Sequence, residues 1–304
     1  MLLLCPFVRS GREGGWAVFH DGENHFLAGG EAMFEVVQND LLAPNLHRMV
    51  VKAPRVATAR KAGQFVIVRA DREAERIPLT IGDADVSEGT ITLFVQAIGA
   101  STRKIVEAAA GEVLQDVAGP LGRPTEIENW GRVACVGGGV GTAVLFPLAK
   151  ALAELGNEVT TIIGGRSEPY IILADELASF SSDLRITTED GSLGRKGFVT
   201  AELADQMGDP ERCPQAVFAV GPVPMMRAVV ELTRPQGIKT MVSLNPIMID
   251  GTGMCGGCRV LVDGEVKFAC VDGPEFDGHQ VDFVSLADRL TMYRDVEEKC
   301  RIGR

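Results

Sequence analysis

The sequence predicts three consecutive domains: a small antiparallel β-barrel, a doubly wound α/β sheet, and a short C-terminal domain built around a cysteine-rich loop. Three stretches predict them. Short apolar strands separated by turn residues run from position 34 to 97, and a buried strand, a glycine loop and an apolar helix follow at 132–156. A DGTGMCGGC loop then begins at Asp250. A chain of 304 residues is long enough for two or three separate cores.

Composition excludes several classes of function. The formal net charge of −11 is not offset by a basic stripe, which argues against a nucleic-acid partner. No uncharged apolar run approaches the roughly 18 residues of a membrane helix, so the sequence predicts no membrane span. Seven cysteines in a chain of this length do not resemble a disulfide scaffold, and they favour a reducing cytoplasm.

The first 32 residues differ from the rest of the chain. Residues 1–32 are rich in glycine and polar residues, show no sustained periodicity and lack the basic region of a signal peptide, so we expect a poorly ordered extension. Met33, where periodic sequence begins, is an alternative start of translation. We predict the barrel at 33–126, the α/β domain at 127–240, and the cysteine loop with its tail at 241–304. The turn-forming stretch GPLGRP lies near the first of these boundaries.

Two stretches of the predicted barrel carry groups suited to a phosphorylated ring ligand. RIPLTI offers the Arg76 cation and the Thr80 hydroxyl at a strand edge, which suit a phosphate and a ring carbonyl. QAIGASTRKI runs from a strand through Gly99 and the hydroxyls of Ser101 and Thr102 into a helix, whose free amides and positive dipole end suit a pyrophosphate. Each signal is weak alone, because Arg76 is also typical of a solvated surface cation and Ser101 of a plain N-cap.

A buried strand, a glycine-rich loop and an apolar helix succeed one another in RVACVGGGVGTAVLFPLAKALAELG. In this order Gly137, Gly138, Gly139 and Gly141 let backbone amides approach a pyrophosphate at the helix N-terminus. The pattern GGGVGTA departs from the G-x-G-x-x-G fingerprint, so the interpretation as a dinucleotide site needs support from the rest of the domain.

Two later loops lie where doubly wound sheets bind ligands, after the carboxyl ends of strands. After the second predicted strand, Glu168 could accept hydrogen bonds from a ribose diol, whereas Arg166 could attract a 2′-phosphate; both could equally be solvated loop residues. A single cation beside an acid favours NAD(H) over NADP(H). After a later strand comes GPVPMMRAV, which begins at Gly221. Its Met225 and Met226 are predicted as helix core rather than ligand contacts.

The C-terminal loop carries the third candidate site. Asp250, Cys255 and Cys258 repeat the C-x4-C-x2-C spacing of plant-type [2Fe–2S] ferredoxins with a carboxylate in the first position, and Cys270 comes later as a distant fourth ligand. The spacing, the glycines and the missing histidine favour an iron–sulfur cluster over zinc, or over a glycine-rich turn with unligated thiols. Alternating residues on both sides of Asp263-Gly264 predict a β-hairpin that returns Cys270 to the loop.

Taken in chain order, these motifs resemble the ferredoxin–NADP reductase superfamily, in its branch with a C-terminal [2Fe–2S] domain. That branch includes the electron-transfer subunit of dihydroorotate dehydrogenase. It also includes the small subunit of NADH-dependent ferredoxin:NADP oxidoreductase, or sulfide dehydrogenase beta subunit, which is similar in placing a carboxylate at the first cluster position. The similarity covers roughly residues 33–297. It implies a β-barrel flavin domain, a doubly wound nucleotide domain and a small iron–sulfur domain.

The resemblance also implies three cofactors and the residues that hold them. It implies FAD in the barrel, NAD(H) in the α/β domain and a [2Fe–2S] cluster in the C-terminal loop. The residues implied for FAD are Arg76, Pro78, Leu79, Thr80, Gly99, Ser101 and Thr102. Those implied for the dinucleotide are Gly137, Gly138, Gly139, Gly141, Thr142, Gly221, Pro222 and Met225, beside the candidates Arg166 and Glu168. Those implied for the cluster are Asp250, Cys255, Cys258 and Cys270.

A flavin links these cofactors, because it takes electron pairs from a nicotinamide and passes single electrons to a cluster. No catalytic side chain is predicted, since no nucleophile–base arrangement is legible. The resemblance implies a cytoplasmic heterodimer with a flavoprotein large subunit similar to the small subunit of glutamate synthase, coupling NADPH, NAD and ferredoxin by electron bifurcation. Two alternatives stay open: the electron-transfer subunit of a dihydroorotate dehydrogenase, and a redox-sensing protein without enzymatic activity.

Overall fold

The computed structural model describes residues 34–292. The predicted extension at 1–32, the alternative start at Met33 and the end of the C-terminal tail lie outside the described residues. Within them, a six-stranded sheet, a seven-stranded sheet and a two-stranded hairpin form three adjoining units. No helix in this part of the chain is long and apolar enough to cross a membrane.

The first unit is an antiparallel barrel. Its strands are β1 (Val36–Ala43), β2 (Leu46–Lys52), β3 (Phe65–Arg69), β4 (Ile77–Asp85), β5 (Thr90–Gln96) and β6 (Asp116–Leu121). They lie in the order β1-β2-β5-β4-β3-β6. Alternating side chains of these strands fill a core around Met49, Ile81 and Leu93, which Ile105 closes from helix α2 (Ala100–Glu107). The short helix α1 (Pro54–Ala59) packs on the same core.

The second unit is a parallel sheet with helices on both faces. Its strands are β7 (Arg132–Gly138), β8 (Glu158–Gly165), β9 (Asp183–Thr188), β10 (Arg195–Lys196), β11 (Ala216–Val220) and β12 (Lys239–Ser243). Its helices are α3 (Gly141–Glu154), α4 (Ala174–Ala178), α5 (Val199–Met207) and α6 (Val223–Thr233). The strands run β10-β9-β8-β7-β11-β12, so the chain order reverses between β7 and β11. Open parallel sheets bind their ligands at this switch point.

The third unit contains the hairpin β13 (Arg259–Val262) and β14 (Glu265–Phe268), strand β15 (Glu275–Asp277) and helix α7 (Phe283–Leu290). The predicted hairpin is confirmed, because Asp263 and Gly264 have φ values of 53° and 72°, as a type I′ turn requires. The sequence does not predict β15, which pairs antiparallel with β12 and extends the α/β sheet. A strand of three residues is too short to show alternation.

The three-part fold class predicted from the sequence is confirmed. The barrel and the α/β unit are joined by ion pairs between their elements. Asp83 of β4 meets Lys150 of α3 at 3.1 Å. Arg48 of β2 meets Glu176 of α4 at 2.5 Å.

Candidate cofactor sites

A cleft of about 1080 Å³ opens where the three units meet. The barrel contributes Pro78 and Thr80 of β4, and the α/β unit contributes the ends of β7, β8 and β11. Asn245 and Pro246, at the start of the third unit, complete the lining. The cleft slightly exceeds the usual range of small-molecule sites, about 300–1,000 Å³, so it has room for an extended ligand at the switch point of the sheet.

The loop between β7 and α3 requires glycine because it packs too closely against the loop between β11 and α6 to leave room for side chains. A Cβ at Gly141 would lie 2.4 Å from the carbonyl oxygen of Val220, and one at Gly138 would lie 2.4 Å from Sδ of Met225. Gly139 has a φ of 55° and donates its N–H to the carbonyl of Gly164 at 2.7 Å. The loop therefore brings bare backbone to the cleft, which suits a pyrophosphate.

Not every predicted dinucleotide residue lines the cleft. Gly138, Gly139 and Gly141 do, as do the further lining residues Arg166, Gly221, Pro222 and Met225. Gly137 and the buried Thr142 lie behind the loop, where a Cβ at Gly137 would come within 2.9 Å of the Thr142 hydroxyl. Met226 is fully buried, which confirms its place in the helix core. Met225 is partly buried against the same core and also lines the cleft.

The lining residues that the sequence analysis does not name as site residues include Tyr170, Phe198 and Glu189. Tyr170 and Phe198 are large aromatic residues that are 40% and 65% exposed, so their rings are open to a ligand in the cleft. Glu189, directly after β9, also lines the cleft, whereas Glu168 is exposed and outside the lining. The signal that could have found Glu189 is its position after a predicted parallel strand.

The flavin motif of the resemblance divides between the two faces of β4. Pro78 and Thr80 line the cleft, while Leu79 between them is buried in the barrel core opposite Val66. This alternation is the normal period of a strand, so Leu79 can contact a ligand only through its backbone. Arg76 precedes the strand, is exposed, and belongs to none of the ion pairs found within residues 34–292.

The hydroxyls at the start of α2 are engaged within the protein. The Thr102 hydroxyl accepts hydrogen bonds from the N–H groups of Gly99 at 3.0 Å and Ile98 at 3.2 Å. The Ser101 hydroxyl donates to the Glu75 carboxylate at 2.8 Å. Because these bonds close the loop before the helix, the groups left for a pyrophosphate are the free backbone amides of the first turn.

In the C-terminal loop, Cys258 and Cys270 already lie together. Both are buried, their sulfur atoms are 3.2 Å apart, and the N–H of Cys270 is 3.5 Å from Sγ of Cys258. Burial, with the neighbouring Cys258 thiol, raises the pKa of Cys270 to about 12. A coordinated metal overrides this preference, because a coordinating thiol is deprotonated.

Asp250 and Cys255 occupy the more exposed side of the loop. The Asp250 carboxylate accepts hydrogen bonds from the N–H groups of Thr252 at 2.9 Å and Cys255 at 2.7 Å, which hold the pKa of Asp250 below its usual range. The N–H of Gly257 donates to Sγ of Cys255 at 3.3 Å. Across residues 34–292, no three His, Cys, Asp or Glu side chains stand in a ready metal-binding arrangement.

The donor set nevertheless fits a [2Fe–2S] cluster. It supplies three thiols and one carboxylate at ferredoxin spacing, and the N–H groups of Gly257 and Cys270 point at sulfur, as the surroundings of such clusters do. Cys258 and Cys270 would supply two ligands from their buried pair of thiols. Asp250 and Cys255 would supply the other two from the more exposed side of the loop.

The cluster loop lies against the barrel next to the flavin motif. A Cβ at the buried Gly251 would lie 2.9 Å from side-chain atoms of both Ile67 and Leu121. Gly251 also has a φ of 73°, so both space and backbone conformation require glycine. Ile67 of β3 pairs directly with Pro78 of β4. Strand β3 therefore lies between the cluster loop and the flavin-motif residue Pro78.

Comparison with known proteins identifies two domains in the chain. Residues 135–231 match the family profile described as the oxidoreductase NAD-binding domain. Residues 245–282 match the iron–sulfur cluster binding domain of dihydroorotate dehydrogenase B. The predicted [2Fe–2S] and NAD(H) sites thus fall within domains of the expected kind.

A relative from Thermotoga maritima decides the family. It is the electron transfer subunit homolog of dihydroorotate dehydrogenase B (NAD(+)), and it is 46% identical over 270 residues, which cover 89% of this chain and 95% of the relative. The chain belongs to this family of electron-transfer subunits. The dihydroorotate dehydrogenase B electron transfer subunit of Clostridium perfringens, 30% identical over 250 residues, covers 82% of this chain and 97% of its own length.

Solved structures agree with this family. The structure of NADH-dependent reduced ferredoxin–NADP oxidoreductase, studied for flavin-based electron bifurcation, contains a chain that is 44% identical with a TM-score of 0.84. The match covers 90% of this chain and 99% of that one. Phthalate dioxygenase reductase matches with a TM-score of 0.56 at 16% identity, over 75% of this chain and 85% of that one, which supports the fold alone.

The predicted superfamily, its iron–sulfur branch and the oxidoreductase activity are confirmed for this electron-transfer subunit. The cofactor prediction is also confirmed, since the cluster and NAD-binding domains match directly and the fold is shared with the 44% identical chain, whose structure was studied for flavin-based electron bifurcation. An electron-transfer subunit implies a partner subunit to receive or supply the electrons. The roles of the individual site residues stay predictions.

Proposed function

We propose that this electron-transfer subunit carries electrons between NADH and a flavoprotein partner subunit, through FAD in the barrel and a [2Fe–2S] cluster held by Asp250, Cys255, Cys258 and Cys270. The observation that carries the proposal is the order of the three sites. Gly138 and the flavin-motif residue Pro78 line one cleft, and the cluster loop rests on the strand that pairs with Pro78. Electrons would pass from the cleft to the cluster loop only through parts of the chain that contact each other directly.

FAD, when bound, accepts an electron pair as hydride and releases electrons singly, which is the chemistry this order of sites requires. The chain itself binds and orients. The bare glycine loop suits the dinucleotide pyrophosphate, and the exposed Arg76 cation suits a flavin phosphate. The Thr80 hydroxyl, at the cleft, can bond a ring carbonyl. No side chain at the cleft is required to move a proton.

The partner we propose is a large flavoprotein subunit similar to the small subunit of glutamate synthase, in an electron-bifurcating ferredoxin:NADP oxidoreductase. Asp250 favours this type, because its small subunits are similar in having a carboxylate at the first cluster position. The second candidate is the electron-transfer role in dihydroorotate dehydrogenase, which the names of the curated relatives favour. There the partner would oxidise dihydroorotate.

Anaerobic affinity purification of the tagged chain from its native extract separates the two candidates. We expect to recover a large flavoprotein subunit, and the complex should couple NADPH oxidation to reduction of both NAD⁺ and ferredoxin. Reduction of the cluster by dihydroorotate, with no response to NADPH, would assign the chain to the second candidate.

Asp250 provides a prediction about the cluster ligands. Asp250→Cys should keep the cluster but change its spectrum and potential, because a thiolate is a softer donor than a carboxylate. Asp250→Ala should make the cluster labile. Asp250→Asn is the matched control for the loop, since its amide oxygen can still accept from the Cys255 N–H. Wild-type spectra and potentials in all three variants would show that Asp250 organises the loop without binding iron.

Glu189 provides a prediction about dinucleotide choice. We expect the purified subunit to reduce its FAD faster with NADH than with NADPH, because Glu189 faces the cleft and repels a 2′-phosphate. Glu189→Gln should lower the ratio of the reduction rate with NADH to that with NADPH roughly tenfold, about 1.4 kcal/mol. Glu168→Gln should leave this ratio unchanged. Anaerobic stopped-flow measurement of flavin absorbance tests both. An equal rate with NADPH in the wild type, or an effect confined to Glu168, would contradict the assignment.

A further inference from the structure

Arg289 reaches from the last turn of α7 into the cluster loop. Its Nη2 donates a hydrogen bond of 2.9 Å to the carbonyl oxygen of Gly257, between Cys255 and Cys258. Packing of helix α7 against the core fixes the position from which Arg289 makes this contact. Phe283 and Leu286 bury its apolar face in the core that also contains Cys258.

The guanidinium of Arg289 has too few hydrogen-bond acceptors and no anionic partner among the described residues. Its Nε atom is buried and has no hydrogen-bond partner within the described chain. Arg289 takes part in none of the ion pairs found between positions 34 and 292. A buried donor without an acceptor costs about 1–3 kcal/mol, and more when the group is charged. The position therefore calls for an anion beside the cysteine turn.

The cluster itself would be that anion. A [2Fe–2S] cluster with three thiolates and one carboxylate carries net negative charge, which grows when it accepts an electron. A nearby fixed cation stabilises the reduced form more than the oxidised form, so it raises the reduction potential. The bond to Gly257 also holds the turn between two ligands, as groups around a metal site orient its ligands.

We propose that Arg289 is the counter-ion of the cluster: it raises the cluster's reduction potential and fixes the turn between Cys255 and Cys258. This inference rests on the ligand set of the proposed function. Arg289 is a positioning residue, since its side chain acts on the cluster through charge and through the turn. The neighbouring Arg259 lies at the same turn, where a Cβ at Gly256 would be 3.0 Å from its Nη1, but Arg259 is exposed and solvent screens its charge.

The test compares the reconstituted full-length protein with Arg289→Gln, Arg289→Lys and a matched control, Arg234→Gln. Arg234 donates the same kind of bond, at 3.0 Å, to the carbonyl of His279, and it is exposed. Iron and sulfide content and the midpoint potential from an EPR-monitored redox titration are measured for each. We expect a lower potential in Arg289→Gln, a potential between that and the wild type in Arg289→Lys, and no change in Arg234→Gln.

The outcomes separate this inference from the proposed function. A wild-type [2Fe–2S] spectrum with an unshifted potential in Arg289→Gln overturns the role of Arg289 alone. If Arg289→Gln holds no cluster, Arg289→Lys decides, because lysine keeps the charge without the planar fork. A lysine variant that retains the cluster supports the counter-ion role, and one that loses it overturns that role. Absence of any [2Fe–2S] spectrum from the wild type overturns the ligand set and this inference together.

Discussion

Glu275→Gln is expected to make the protein more stable by about 3 kcal/mol at pH 8 and to change its stability little at pH 4.5. Glu275 lies in β15, where the Thr125 hydroxyl donates to its Oε2 while Oε1 is buried without a partner among the described residues. Burial raises the pKa of Glu275 from its ordinary 4.5 to about 7. Below about pH 7 the folded protein therefore holds a neutral carboxyl group where β15 of the third unit meets Thr125, in the segment between β6 and β7.

The sign of the pH dependence is set by this shift. Between pH 4.5 and 7 the folded state binds the proton more tightly than the unfolded state, so stability falls as the pH rises through that window. Above pH 7 the loss is complete, and a shift of this size corresponds to about 3 kcal/mol. Glutamine stays neutral at every pH and removes the loss.

Urea unfolding of the holoprotein from pH 4.5 to 8.5 measures the effect, with Glu211→Gln as a control on an exposed turn. We expect the difference in unfolding free energy between Glu275→Gln and the wild type to grow with pH and level off above pH 7. Parallel curves for the two proteins would show that the Glu275 carboxyl is ionised throughout. An increase in unfolding free energy in both variants would instead show a general effect of the less negative net charge.

The sequence predicts the parts of this fold whose signals are local. Strand β11 and the glycine loop before α3 are legible because periodicity and backbone freedom are encoded within a few neighbouring residues. The Asp263-Gly264 turn is predictable for the same reason, since its positive φ values limit the residues it can contain. These features need no knowledge of the elements that pack against them.

The features that the sequence does not predict depend on contacts between distant segments. Strand β15 forms because β12 offers it an open edge, and Glu275 is buried only because that pairing carries it against Thr125. Glu189 faces the cleft and Glu168 does not, although both lie after strands and carry the same charge. Arg289 contacts Gly257 from 32 positions away. Propensity and spacing contain no information about such placements.

Gly141→Ala is expected to slow the reduction of FAD by NADH on the order of 100-fold, the loss that a displacement of about 1 Å can cause. A Cβ at Gly141 would lie 2.4 Å from the carbonyl oxygen of Val220 and 2.7 Å from Cα of Gly221. Both are backbone atoms, so neither can move aside as the end of a side chain can. The new methyl group would force apart the two loops that line the dinucleotide side of the cleft.

Two other glycines make the comparison quantitative. Gly138→Ala should slow FAD reduction less than Gly141→Ala does, because the nearest atom to its Cβ is Sδ of the flexible Met225. Gly208→Ala, at the end of α5, has a φ of −74° and no other atom within 3.4 Å of its Cβ, so the rate should not change. The measurement is anaerobic stopped-flow flavin reduction, with FAD and iron content recorded to confirm an intact fold.

If Gly141→Ala keeps both cofactors and the wild-type rate, the dinucleotide does not bind across these two loops. If Gly138→Ala is the slower variant, the fit of Met225 against the loop matters more than the spacing of the backbones.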